Sequence, residues 1–172
     1  MALLDAAQAL FFERPWEGIT LGAVAGRAGV TKQTLLRHFG SKEGLLEAAF
    51  ERAMGEVRSR RMAVPGDDIE EAVDNLLDHY DDRGWMALRM GRMESEAAQR
   101  MERAARQLHR DWVDHAFVAW LRGRERTRRR AALIALCDVQ TWAILSRDLG
   151  MPRREVRATL LVAIRRLLQE AP

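Results

Sequence analysis

The sequence predicts an all-α chain, and three observations carry that reading. Apolar residues recur at i, i+3, i+4 and i+7 in one segment after another. Hydroxyl residues stand at the head of several of these segments, where a side-chain oxygen can accept a bond from a first-turn N–H. Almost nothing shows the strict alternation of a half-buried strand. With 172 residues, 48% of them apolar and 31% charged, the chain can bury a sizeable core and reads as globular.

The elements follow in order. A first helix is expected over residues 2–13, with Leu4, Ala7, Leu10 and Phe11 on one face, before Pro15 and Gly18 break the chain. Thr20, Thr31 and Ser41 each open a helix, over residues 21–28, 32–39 and 42–62. Gly29 and Gly40 close the two short ones, where a left-handed residue costs least. Val64 to Asp67 is a loop and the clearest boundary. Residues 68–82 form a helix with Ile69, Val73, Leu76, Leu77 and Tyr80 inside, and Gly84 interrupts it. A short methionine-rich segment spans 85–95, and a long helix spans 97–121. The arginine-rich residues 122–130 read as a solvated loop. A helix over 131–149 ends at Gly150, and Pro152 opens the last one, to about Gln169.

Composition removes several classes of function. Cys137 is the single cysteine, so neither an intrachain disulfide nor a cysteine-rich zinc site can form. Its surroundings suggest a quiet buried thiol. No apolar run reaches the roughly 18 residues of a membrane span. Nothing basic precedes the apolar residues of the N-terminus, so no signal peptide is expected and the location is expected to be cytoplasmic. There is no nucleophile motif, phosphate-binding glycine loop or catalytic carboxylate pair, so no enzyme is expected, and neither is a cofactor. His109 and His115 have no partners grouped with them, so no metal is expected either. Asp138, in an apolar stretch, reads as a partly buried acid bonded to a neighbour, with a polar contact to a ligand as the alternative.

Charge points to a partner. The net charge is only +3, but 26 of the 28 basic residues are arginine, and no Asp or Glu occurs between Gly18 and Lys42. Arg27, Lys32, Arg37 and Lys42 lie in that interval with His38. An acid-free basic island in a chain otherwise laced with both signs is the footprint of a polyanion site. The two short helices meet at Gly29-Val30, a helix-turn-helix in outline. Leu21, Val24, Ala25 and Ala28 give the first an inner face; Leu35 and Phe39 give the second its own. Lys32, Gln33, Leu36 and Arg37 are left outward, as a helix entering the major groove requires. Gln33 can pair with adenine, and Lys32 or Arg37 with guanine or phosphate. Ser41 and Lys42 open a helix whose N-terminus suits a phosphate.

Read together, Leu4-Asp-Ala-Ala7, Leu10-Phe11, Gly18-Ile-Thr20, Val24-Ala25, Ala28-Gly-Val-Thr31, Thr34-Leu35, His38-Phe39, Ser41-Lys-Glu43 and Leu45-Leu46 resemble the DNA-binding domain of the TetR family of bacterial transcriptional regulators. More weakly, Leu136-Cys-Asp-Val139, Thr141-Trp142, Leu145 and Arg147-Asp-Leu-Gly150 resemble the C-terminal part of actinobacterial members. The resemblance implies an N-terminal three-helix DNA-binding domain over residues 1–48 and a helical effector-binding and dimerisation domain over 49–172. It places Thr20, Thr31 and Lys42 at phosphates, His38 near the backbone, and Lys32, Gln33, Thr34 and Arg37 on the recognition helix. Two departures stand out. Leu36 replaces an aromatic residue, usually Tyr, and nothing basic precedes Arg14, where members usually carry a basic arm.

The resemblance also implies a ligand cavity in the later helices. Flexible methionines and aromatics suit an adaptable apolar pocket, and the residues expected there as a set are Trp85, Met86, Met90, Trp112, Trp120 and Trp142, although each alone reads more readily as ordinary core. In the final helices, Leu133, Cys137 and Ile144 lie on one stripe, and Val156, Leu160, Ile164 and Leu167 on another. Further apolar residues lie off both stripes, so a homodimer is expected to cover the excess. The expected function is a sequence-specific regulator of a palindromic double-stranded operator. It is a repressor released by a small apolar or amphipathic effector; the alternative is a ligand-independent dimer controlled by level or by a protein partner.

Overall fold

The computed structural model describes residues 2–14, 16–90 (Met90 by its backbone alone) and 96–169. The expected chain break at Pro15, Met93 of the methionine-rich segment and the Met90 side chain lie outside the described residues. Those residues are helical, with no strand among them: α1 (Ala2–Glu13), a 3-10 turn (Trp16–Gly18), α2 (Leu21–Arg27), α3 (Lys32–Phe39), α4 (Lys42–Arg61), α5 (Ile69–Met90), α6 (Glu96–Ala116), α7 (Arg126–Leu136), α8 (Val139–Ala143) running into a π turn (Ile144–Asp148), and α9 (Arg153–Gln169). No helix among them is long and apolar enough to cross a membrane.

The chain forms two compact units, Met1–Glu56 with Met93–Met101, and Val57–Arg92 with Glu102–Pro172. The change of unit falls within α4, after Glu56. The loop at Val64 lies inside the second unit, where His115 Nε2 meets the Val64 carbonyl at 2.9 Å and the Ala119 N–H donates to Gly66 at 3.2 Å.

In the first unit, Leu10 and Phe11 of α1, Val24 and Ala25 of α2, Leu35 of α3 and Leu45 of α4 are all buried. Gln8 Nε2 donates to the Ala49 carbonyl at 3.1 Å, and Arg52 pairs with Asp5 at 2.6 Å, fastening α1 to α4. The second unit is built on Val73, Leu76 and Leu77 of α5, Trp112 and Phe117 around the end of α6, Leu133 of α7, and Val156, Leu160 and Ile164 of α9. A ladder of ion pairs runs beside this core. Arg153 meets Asp78 and Asp81 at 2.6 and 2.5 Å, Arg157 meets Asp74 and Glu70 at 2.6 and 3.2 Å, and Arg165 pairs with Glu70. These arginines hold α9 antiparallel on α5.

Four expectations are corrected. Helix α5 continues through Gly84. A Cβ there would stand 2.7 Å from the Trp142 ring, so the glycine admits Trp142 against the helix without breaking it. The arginine-rich stretch is not all loop, because α7 begins at Arg126, and Arg130 makes two bonds to Asp114 at 2.6 and 2.8 Å. The single helix over 131–149 is divided at Asp138, which is extended (ψ 151°) and caps α8 by accepting the Gln140 N–H at 2.9 Å. Asp138 is therefore bonded to a neighbour.

The fourth correction concerns the dimer stripes. Leu133, Cys137, Val156, Leu160 and Ile164 are buried in the core of their own unit, and Leu167 is half-buried against it. A helix turns its most apolar stripe to the nearest core, and here that core is the subunit's own. Of the seven residues, only Ile144 is exposed, at 50%. Leu149 and Val162 are exposed apolar residues of the same region.

Candidate nucleic-acid interface and the cavity of the second unit

The helix-turn-helix is set by its caps. Thr20 Oγ1 accepts the Ala23 N–H at 3.1 Å, and Thr31 Oγ1 accepts that of Thr34 at 3.1 Å. Between them Gly29 adopts φ 69°, a left-handed conformation that favours glycine, and the Val30 N–H returns to the Ala25 carbonyl at 3.0 Å. Leu35 is fully buried, which fixes the rotation of α3. Lys32, Gln33, Arg37 and His38 are consequently exposed, with Thr34 half-buried. Gln33 and Arg37 are four residues apart and share a face. Among the described residues, no ion pair or side-chain hydrogen bond engages Lys32, Gln33 or Arg37. Their donors stand free on a rigid helix.

Other members of the basic island are engaged. Arg27 Nη1 pairs with Glu13 at 2.5 Å, so α1 supplies an acid that the local sequence lacks. The Lys42 ammonium donates to the Glu17 carbonyl at 3.3 Å and lies 5.0 Å from the Trp16 ring centroid. Thr31 and Thr34 share a hydroxyl contact at 3.0 Å. Two residues with positioning roles are missing from the sequence reading. Trp16 is buried, edge-on to Phe11 at 6.4 Å, and ties the 3-10 turn to α1 and Lys42. Gly44 is the other. A Cβ there would fall 2.2 Å from the Phe39 carbonyl oxygen, so glycine alone allows α4 to start this close to the end of α3.

The second unit contains a cavity of about 530 Å³, within the range of small-molecule sites. Its wall includes Arg61, Tyr80, Leu88, His109, Ile134 and Val139. None of the five expected pocket residues whose side chains are described lines it. Trp112 is fully buried in the core, and Trp142 packs on Tyr80 at 5.8 Å while its Nε1 donates to Asp81 at 3.2 Å. Trp85 and Met86 are half-buried, with the Arg89 guanidinium 4.7 Å from the Trp85 ring centroid, and Trp120 is half-buried near Phe117. The Met90 side chain lies outside the described residues.

The groups around the cavity have shifted ionisation. Burial, assisted by the Arg61 charge, depresses His79 to about 3 and keeps it neutral. Burial pushes the Cys137 thiol up to about 12, so it carries no thiolate at neutral pH. The Tyr80 hydroxyl donates to the Cys137 carbonyl at 2.9 Å, and burial raises its pKa too. No group of three or more His, Cys, Asp or Glu residues that could hold a metal occurs among the described residues.

Comparison with known proteins accords with this geometry. Residues 3–49 match the sequence model of the family described as "Bacterial regulatory proteins, tetR family". Over 46 residues the chain is 44% identical to the HTH-type transcriptional regulator AlkX of Mycobacterium tuberculosis; this is 27% of the chain and 22% of that relative, so most of the relative's length is unmatched. Whole-chain similarity is seen in folds. A transcriptional regulator from Rhodococcus sp. Rha1 superposes with a TM-score of 0.73 at 21% identity, over 98% of this chain and 95% of that one. A tetR-family regulator from Streptomyces coelicolor gives 0.72 at 19%, over 99% and 88%. FadR from Bacillus subtilis, in complex with stearoyl-CoA, gives 0.67 at 16%, over 100% and 99%. Residues 3–49 are thus similar in sequence to the tetR family of bacterial regulatory proteins, and the chain as a whole shares the fold of these solved structures.

Proposed function

We propose that this protein is a sequence-specific transcriptional repressor that binds a palindromic double-stranded operator as a homodimer and is released by a small molecule held in the second unit. The exposed, unengaged face of α3 carries the proposal. Lys32, Gln33 and Arg37 offer donors to base edges and phosphates from a helix whose pitch and rotation are fixed by Thr31 and Leu35. His38 and the first turns at Thr20 and Lys42 contribute backbone contacts that set register without reading sequence. For Lys42 this requires its ammonium to leave Glu17 or to share it. Leu36 cannot donate a hydroxyl to a phosphate, so the lysine, arginine and threonine contacts carry the affinity.

Dimerisation uses the outward side of the last helices. Ala158, Thr159 and Val162 are exposed on α9, alongside Ile144 and Leu149. A palindromic operator requires two α3 helices about 34–36 Å apart, one turn of DNA, and a two-fold homodimer supplies two such helices. An effector that prefers another separation lowers operator affinity by linkage. The cavity of about 530 Å³ supplies room for such an effector, and FadR, of similar fold, was found with stearoyl-CoA.

Selection of binding sites from genomic DNA tests the reading. The expected result is an enriched inverted repeat with half-site centres about ten base pairs, or a multiple, apart. Enrichment of no sequence, or of an unrepeated half-site bound by a monomer, would overturn it. Enrichment of the repeat with no compound able to release the protein would favour control by level or by a partner protein.

A further inference from the structure

Arg61 ends α4 and is the only charged side chain among the described residues that is buried, at 3% exposure. Its guanidinium lies 4.1 Å from the Trp112 ring centroid and 5.8 Å from that of Tyr80. Its Nε and Nη2 have no partner, and no carboxylate is paired with it. A guanidinium does not shed its proton in a protein. Burial lowers its pKa, yet the charge stays, so the unit carries a desolvated cation with two unused N–H groups. Stacking on two aromatic rings offsets part of that cost and leaves the in-plane donors free.

Those donors belong to a residue that lines the 530 Å³ cavity, but both atoms are buried in this conformation, so a ligand reaches them only when the side chain shifts toward the cavity. A second unpartnered group stands in the same wall. His109 Nε2 meets the Ile134 carbonyl at 3.0 Å, which places the proton on Nε2, and His109 Nδ1 is buried with no partner. Nδ1 is then an acceptor. The acids of the wall are already committed: Glu102 to Arg106 at 2.5 Å, and Asp138 to the Gln140 N–H at 2.9 Å. Arg61 also borders a smaller void of about 430 Å³, whose wall holds Arg60, Arg83, Asp78 and Asp82 but none of the apolar groups Leu88, Ile134 and Val139.

We infer that the cavity is built for a monocarboxylate with an apolar body and a second hydrogen-bond donor, its carboxylate held side-on by Arg61 Nε and Nη2 and its donor by His109 Nδ1. Leu88, Ile134 and Val139 face the apolar body. One negative charge neutralises the one buried cation; Arg106 and Arg110, also in the wall, are exposed, and Arg106 is paired with Glu102, so a phosphate dianion would bring a second charge that no buried cation meets. The inference rests on reading the cavity as the effector site and specifies the chemistry of the effector. It departs from the apolar, tryptophan-lined pocket expected of the sequence.

The test uses full-length protein near neutral pH, with benzoate, 4-hydroxybenzoate and octanoate as probes. Their amides serve as uncharged counterparts, and phenyl phosphate as the rival anion. Binding is read by tryptophan fluorescence, with Trp112 beneath Arg61, and by thermal melting. At least one carboxylate should bind about tenfold or more tightly than its amide, since an unpaired buried donor or charge costs at least that factor. Arg61→Met should abolish the preference without lowering the melting temperature of the free protein, and Arg61→Lys should keep part of it. Should Arg61→Met fail to fold, the wild-type comparison and Arg61→Lys still decide. Equal binding of acids and amides, tighter binding of phenyl phosphate than benzoate, or no binding by any carboxylate would each overturn the inference. Operator affinity is measured separately. A carboxylate that binds without changing it leaves the anion site standing and refutes only the effector reading.

Discussion

Leu35→Ala separates the scaffold of the recognition helix from its chemistry. Leu35 is fully buried between α3 and the rest of the first unit, while its neighbours Gln33 and Arg37 are exposed. The substitution removes three carbons. At about 0.8 kcal/mol per buried carbon group the transfer loss is roughly 2.4 kcal/mol. A residual cavity raises the total to about 3–5 kcal/mol. That is a large fraction of the roughly 5–15 kcal/mol by which folded proteins are stable. Urea unfolding followed by circular dichroism should show the loss as a lower midpoint, and operator affinity should fall because α3 is no longer held at one rotation. Gln33→Ala is the matched control. It should cost about 1–3 kcal/mol of specific binding if Gln33 reads a base, with an unchanged unfolding midpoint. A Leu35→Ala protein of undiminished stability and affinity would refute the claim that this side chain seats the helix. A Gln33→Ala protein that binds specific and random DNA as well as the wild type does would refute the assignment of the reading face.

Three further outcomes follow from the same geometry. Gly26→Ala in α2 meets nothing within 4 Å and should stabilise by roughly 0.5–1 kcal/mol through helix propensity, whereas Gly44→Ala drives a Cβ to 2.2 Å from the Phe39 carbonyl and should destabilise by about 1–3 kcal/mol despite the same propensity gain; equal signs in thermal melts would contradict this. Val162→Glu with Ile144→Glu places charge on the outward face of the last helices and should yield a folded monomer by sedimentation, with specific DNA binding lost; an unchanged dimer would move the interface elsewhere. Asp74 and Glu70 are held below the usual carboxylate range, chiefly by hydrogen bonds from Arg157 to Asp74 and from Arg165 to Glu70. Depressed folded-state pKa values mean stability that is complete above the unfolded value of about 4 and lost as pH falls through the folded values, so Arg157→Met should flatten the acid limb of a pH–stability curve.

Short-range signals were legible in the sequence. Thr20, Thr31 and Ser41 announced caps, Gly29 and Gly40 announced turns, and the i, i+4 pair Leu35 and Phe39 gave α3 its inner face. Each is settled within a few residues of chain. The errors arose where a residue's role depends on a distant partner. Gly84 looks like a helix breaker until Trp142 is placed on it. The acid-free interval looks wholly free until Glu13 reaches Arg27. The apolar stripe of α9 does bury Val156, Leu160 and Ile164, but periodicity identifies a buried face without saying which molecule buries it. The tryptophans illustrate the same gap, since size and apolarity suit a core as well as a pocket.

Arg61 shows why the cavity's chemistry was hidden. In sequence it sits in Arg58-Ser-Arg60-Arg61, a basic helix end, where cations complement the dipole and normally remain in solvent. Two of the three arginines do so: Arg58 and Arg60 are exposed, and they meet Asp111 and Asp82 at 3.6 and 3.7 Å. The third is turned inward by the 3.6-residue period, onto the side where Trp112 and Tyr80 offer their faces. A stability argument alone does not account for this, because an uncompensated buried cation is costly and an apolar side chain of similar volume fills the space at less expense. The cost is explained if it is removed on binding. A ligand that supplies the missing negative charge gains the energy the empty cavity forgoes, and it gains it only in conformations that present Nε and Nη2 to the cavity. That differential affinity is the requirement for a shift in population. The same helix that ends in Arg61 begins at Lys42, beside the reading face.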